Sequence, residues 1–166
     1  MKEKIANSFL ISLRVYAAAW LTYLASIIPL YIWRGIHPYN EVAEDILRSI
    51  SGAIFGFLIL MRIQMRAENA HHYSIKETLM MAAGGVGLHM IAGLLFQLPF
   101  HNHYVIAVSG FHLARLIAVG SDAYPTFFGA LISAFVFGAI YFAAILVGTK
   151  LAHKRYKQYK DGFKTK

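Results

Sequence analysis

The sequence predicts an all-α integral membrane protein. The expected architecture is a bundle of four transmembrane helices, N-in/C-in, with an interfacial or re-entrant helix on the outer face between spans three and four. Three observations lead there. Hydrophobic residues make up 58% of the 166 positions and charged residues 14%, against roughly 45–50% and about 25% in soluble domains. The apolar residues gather into stretches near the roughly 20 residues that cross a hydrocarbon core about 30 Å thick. Lys and Arg concentrate in alternate polar stretches. This length accommodates a single transmembrane domain, residues 1–166.

Span one covers residues 9–33 and is interrupted by Arg14 and Pro29. Lys2 and Lys4 precede it, as in a signal peptide, but the apolar run exceeds the roughly 7–15 residues of a signal core. A retained first helix is expected. Pro29, near the outer end, removes one backbone donor and favours a kink there. Gly35 and Pro38 break the chain in the first outer loop. Asn40 then suits a helix N-cap, and Glu41, Glu44 and Asp45 fall in a first turn, where carboxylates favour the helix dipole.

Span two runs over residues 46–65, with Arg48 and Arg62 expected to snorkel at its two ends. An inner loop containing His71 and His72 leads to Ser74-Ile-Lys-Glu77, which has the form of a capping box. Span three follows over residues 78–98 and stops at Pro99. Span four covers residues 126–151, with Pro125 at its tolerated first turn, and a basic cytoplasmic tail occupies 152–166.

Between the last two spans, residues 104–119 are apolar but carry Ser109, Gly110, His112 and Arg115. A run this short fits an interfacial or re-entrant helix better than a fifth span. The charges agree. With four spans, twelve Lys and Arg fall on the inner side and only Arg34, Arg48 and Arg115 on the outer side. That asymmetry places both termini in the cytoplasm of a plasma-membrane, multi-pass protein.

Small residues recur at four-residue spacing: Gly52 and Gly56; Ala83 and Gly87, with Gly85 and Gly93 nearby; Ala130, Ala134 and Gly138; Ala144 and Gly148. Lipid tails are as apolar as leucine, so close backbone approach, which small residues permit, holds membrane helices together. Packing within the chain is the plain reading. Self-association or docking onto another membrane protein is the alternative.

Few polar residues escape a topological explanation. His89 sits mid-way along span three in a run of small residues, where an ionisable group commonly faces the bundle interior or a wet cavity. It is a candidate for a ligand or proton pathway, as are Arg14 and Arg115. Arg14 lies close enough to the cytoplasmic side to snorkel; in a functional role it would bind an anionic group. The outer rim brings together His37, Glu41, Glu44, Asp45, His101, His103, His112, Arg115 and Asp122. His101, His103 and His112 are candidate metal ligands, since imidazole with carboxylate suits zinc or another divalent cation.

The absence of Cys excludes disulfides and thiolate sites. No catalytic residue is assigned, because no nucleophile elbow, zinc-protease spacing or phosphate loop is present. No cofactor is demanded. The net charge of +8 lies beside apolar spans, so Lys150, Lys154, Arg155 and Lys157 are expected to meet anionic lipid headgroups rather than nucleic acid.

These features favour a non-enzymatic subunit of a homo- or hetero-oligomeric membrane complex that assists or regulates transport. One alternative is a small transporter or channel with His89 lining the path. A further alternative is a membrane enzyme using the outer His and carboxylate rim.

Overall fold

The computed structural model describes residues 2–67, 70–100, 108–117 and 127–164. Within them every element is a helix: α1 (Lys2–Ile36), α2 (Glu41–Arg66), α3 (Ile75–Phe100), α4 (Val108–Ile117) and α5 (Phe127–Lys164). Three helical stretches are long and apolar enough to cross a membrane: Glu3–Ile36, Glu41–Arg66 and Phe128–Asp161.

The helix starts follow local chemistry. Asn40 is extended (φ −142°, ψ 107°), and its side-chain oxygen accepts from the Ala43 amide at 3.1 Å. The reciprocal capping box is formed at α3. The Ser74 amide donates to Glu77 Oε2 at 3.1 Å, and the Glu77 amide donates to Ser74 Oγ at 3.3 Å.

Three elements differ in extent from the sequence expectation. α1 continues through Pro29 to Ile36. The tail expected after span four is the last part of α5, which remains helical to Lys164; Ala, Lys, Arg and Gln are good helix formers, and no Gly or Pro interrupts the stretch before Gly162. The segment expected at the outer face contains the ten-residue helix Val108–Ile117, while the rest of 104–119 lies outside the described residues.

The four long helices pack as a ring in the order α1, α2, α5, α3, and α4 lodges against α2 and α5. Contacts between named residues give the directions. Lys4 pairs with Glu77, Gly85 lies against Ser8 and Ile11, and Tyr16 meets His89, so α3 runs parallel to α1. Gly56 lies against Tyr141, and Gly148 against Met61 and Gln64, so α5 runs parallel to α2. Both chain ends and the 70–74 turn therefore gather at one end of the bundle. There Lys4 pairs with Glu77 at 3.2 Å, and the His71 ring stacks on Tyr156 at 4.1 Å. Burial at that turn and the neighbouring His72 push the His71 pKa below its ordinary value.

The core joins Val15, Ala18, Leu60, Ala82, Val86, Tyr141 and Ile145 across all four long helices. Glycine permits its closest approaches. A Cβ on Gly85 would lie 2.7 Å from the Ser8 carbonyl oxygen, and one on Gly148 would lie 2.6 Å from the Met61 carbonyl oxygen. Both obstacles are backbone, which cannot swing aside. Gly56 and Gly138 face side chains instead, Tyr141 and Met90 respectively. Ala130 and Ala134 are buried on α5, and Gly52 on α2. At Gly87 no approach is seen within the described residues: a Cβ there would meet nothing within 4 Å. Side-chain surroundings at Gly93 lie outside the described residues.

Gly85→Ala and Gly148→Ala should each destabilise the purified protein by about 1–3 kcal/mol through overpacking. Gly87→Ala should be neutral or stabilise by up to about 1 kcal/mol through helix propensity. Thermal unfolding in detergent measures all three; equal losses at the three positions would contradict the packing described.

Candidate functional site

The polar side chains of the bundle collect at three depths. The first is the end opposite the chain termini. Asn40 starts α2 so that Glu41, Glu44, Asp45 and Arg48 emerge within its first two turns, on neighbouring faces. Arg34, from the last turn of α1, donates to both Glu44 oxygens, at 2.8 and 2.6 Å. His112 and Arg115 come down from α4. His112 Nδ1 is 2.5 Å from Asp45 Oδ1, and its Nε2 is 2.9 Å from Arg48 Nη1. Arg115 Nε lies 3.2 Å from the other Asp45 oxygen, and its Nη2 also pairs with Glu41.

This geometry assigns a proton. A guanidinium only donates, so Nε2 facing Arg48 must accept. The imidazole proton is then on Nδ1, donated to Asp45, and the ring is neutral. Among the described residues, three carboxylates thus meet three guanidiniums around an uncharged His. Asp45, 5% exposed, and His112, 6% exposed, are buried. Burial is the main cause that pushes the His112 pKa below its ordinary value, with Arg48 and Arg115 adding to it and Asp45 opposing. Arg48, expected to snorkel, turns its guanidinium to His112 of α4.

The second depth is the middle. His89 is buried, and its ring meets Tyr16 of α1 and Tyr141 of α5 edge to face, at centroid distances of 6.5 and 6.2 Å. Thr22 is buried beside Gly56 and Tyr141, with its hydroxyl donated to the Ala18 carbonyl at 2.7 Å. His89 therefore occupies the junction of α1, α3 and α5.

The third depth is the end carrying the termini. Arg14 Nη1 donates to Gln64 Oε1 at 2.8 Å, and Gln64 Nε2 donates to Thr149 Oγ1 at 3.1 Å, linking α1, α2 and α5. Arg14, expected to snorkel, thus has one guanidinium nitrogen on an α2 amide. Gln64 was not singled out from sequence. Its signal was its spacing: Gly52, Gly56, Leu60 and Gln64 follow at intervals of four and are all buried on one face. Asn7 donates to the Tyr73 hydroxyl at 2.6 Å, which in turn donates to Glu3 at 3.1 Å.

Of the expected metal ligands, His112 has both ring nitrogens turned to Asp45 and Arg48, and His101 and His103 lie outside the described residues. Asp122 lies outside them too. His37 stacks on Trp33 at 4.1 Å. Among the described residues, no three His, Cys, Asp or Glu side chains form a group that could hold a metal ion. Lys150, Lys154, Arg155 and Lys157 are all exposed on the last turns of α5.

No known protein family, curated protein or solved structure matches this chain.

Because His112 is depressed in the folded state, its contribution to stability has a definite sign. It is complete above the ordinary value of 6.5 and is lost as pH falls through the lower folded-state value. Thermal unfolding in detergent should therefore show stability declining below that ordinary value. His112→Gln, which can donate to Asp45 and accept from Arg48 without titrating, should flatten the decline. His112→Ala should cost about 1–3 kcal/mol at neutral pH. A His112→Gln profile as steep as the parent's would assign the pH dependence elsewhere.

Proposed function

We propose that the chain is a four-span membrane protein with both termini cytoplasmic, acting as a non-enzymatic subunit of a homo- or hetero-oligomeric membrane complex that assists or regulates transport. The fourth span in this reading is α3, whose 26 residues extend about 39 Å at helical rise. The twelve-to-three distribution of Lys and Arg supports the orientation. So does the gathering of both chain ends and the 70–74 turn at one end. The exposed basic side chains of α5 then lie at the cytoplasmic headgroups, where each contributes about 1 kcal/mol with anionic lipid.

The observation that carries the subunit reading is the outward face of α3. Gly56, Gly85, Gly138 and Gly148 receive helices of the same chain, but Ala83 is exposed and a Cβ on Gly87 would meet nothing within 4 Å among the described residues. Exposed Met80, Leu88 and Ile91 surround this notch. It is a surface on which a further helix can come close. The pairing of charged groups at the other end supports the same reading, since it serves to hold α4 in position.

Two measurements test it. Native mass in mild detergent should show a complex of this chain with itself or with a co-purifying membrane protein. Gly87→Leu, whose Cβ meets no described atom within 4 Å, should dissociate that complex while leaving thermal unfolding within about 1 kcal/mol of the parent. A protein monomeric in both detergent and lipid would overturn the subunit reading. For topology, the Cys-free background permits single-cysteine labelling. Asn40→Cys should react with an impermeant reagent from outside, and His72→Cys only after permeabilisation; the reverse pattern would invert the orientation.

A further inference from the structure

A small cavity lies among α1, α2, α3 and the 70–74 turn, with a volume of about 20 Å³. That is room for one water-sized occupant, since a single water needs roughly 10–15 Å³ on this scale. Its polar lining consists of Asn7, Arg14, Gln64, Tyr73 and Thr78, and among the described residues no carboxylate lines it.

Arg14 makes this cavity chemically unusual. Its neighbour is a neutral amide, Gln64 Oε1 at 2.8 Å, and among the described residues it forms no ion pair. At the other end of the bundle, Arg34 and Arg115 each meet a carboxylate. The Gln64 amide is held in place because its nitrogen donates to Thr149. It therefore offers Arg14 one acceptor and no charge, leaving further guanidinium N–H groups to be satisfied. A cation drawn into an apolar bundle needs a counter-charge or water.

Thr78 supplies the second observation. It is 2% exposed and lines the cavity, and its hydroxyl forms no hydrogen bond among the described residues. It also stands in the first turn of α3, where the helix dipole favours negative charge. The Tyr73 hydroxyl proton is donated to Glu3, on the exposed side, so that carboxylate does not line the cavity.

We propose that this cavity is a halide site, with chloride held between the Arg14 guanidinium and the Thr78 hydroxyl. Its positive charge and free donors select an anion over a cation. Its volume favours a monatomic anion over phosphate or a lipid headgroup, which brings several heavy atoms. The bound ion neutralises Arg14 and ties α1 to α3 beside the Arg14–Gln64–Thr149 chain. This assignment does not depend on what the protein associates with.

The test uses the full chain purified in a non-ionic detergent. Sodium gluconate is exchanged for sodium chloride or sodium bromide at constant ionic strength. Thermal unfolding should shift upward by several degrees with both halides, saturably, as expected for a ligand of the folded state. Thr78→Val, which keeps the shape and removes the hydroxyl, should weaken the half-saturating concentration several-fold. Arg14→Gln should abolish the shift.

Chloride-35 NMR line broadening reads binding directly on the same samples, and phosphate serves as the polyatomic control. Equal unfolding midpoints in chloride and gluconate, with no line broadening, would mean that the cavity holds water and would overturn the proposal. An unchanged halide response in Thr78→Val would place the ion elsewhere and overturn it as well, whether or not Arg14→Gln folds. A stronger response to phosphate than to chloride would replace the halide with an oxyanion and overturn the size argument.

Discussion

Asp45 is buried near the start of α2, and a carboxylate there must be neutralised by groups that α2 does not supply alone. One oxygen takes the His112 proton and the other faces Arg115. Both partners come from α4, so one buried charge determines where the short helix sits. The same logic extends outward. Arg34 closes on Glu44 and ties the end of α1 to α2, and Arg48 faces the second ring nitrogen of His112. Removing one partner from such a group leaves a buried charge uncompensated, which costs more than the intact arrangement contributes. The cluster therefore specifies position more than it adds stability.

The rest of the bundle rests on close packing. Hydrophobicity cannot distinguish a helix neighbour from lipid, so contact area and backbone proximity must do so. Gly85 and Gly148 let α3 and α5 press against carbonyl oxygens of α1 and α2. These two approaches join the parallel pairs of the ring. Tyr141 fills the middle against Gly56, and His89 is edge-on to Tyr141 and Tyr16. The mid-bundle His is thus held by aromatic edges. The distinct chemistry of the chain lies toward the two ends, a cluster of paired carboxylates and guanidiniums at one and, at the other, the Arg14 guanidinium set against a neutral amide.

Much of this was legible in the sequence where the cause is local. Asn40 and the Ser74–Glu77 pair mark the starts of α2 and α3 because capping involves residues only three apart. The short helix between the last two long helices was legible from its length and its interrupting polar residues. Contacts across the bundle were not. Arg14 and Arg48 both looked like snorkelling residues, since proximity to an apolar end is all that a sequence displays. Their partners, Gln64 and His112, stand 50 and 64 positions away. His112 looked like a metal ligand because imidazole suits zinc as readily as it suits a carboxylate and a guanidinium. Gly87 looked like Gly85, since a stripe of small residues does not reveal which members face a neighbour.

Composition and periodicity alone determined that the chain is helical and apolar enough for membrane, and local capping chemistry determined where two of its helices begin. These follow from backbone hydrogen bonding and side-chain transfer energies, which depend on near neighbours. Only the tertiary structure decided which glycines receive a helix, which tautomer His112 adopts, and that Arg14 faces an amide beside a water-sized cavity. Each of those depends on a group brought from a distant part of the chain, and burial makes the pairing of polar groups obligatory without naming the partner.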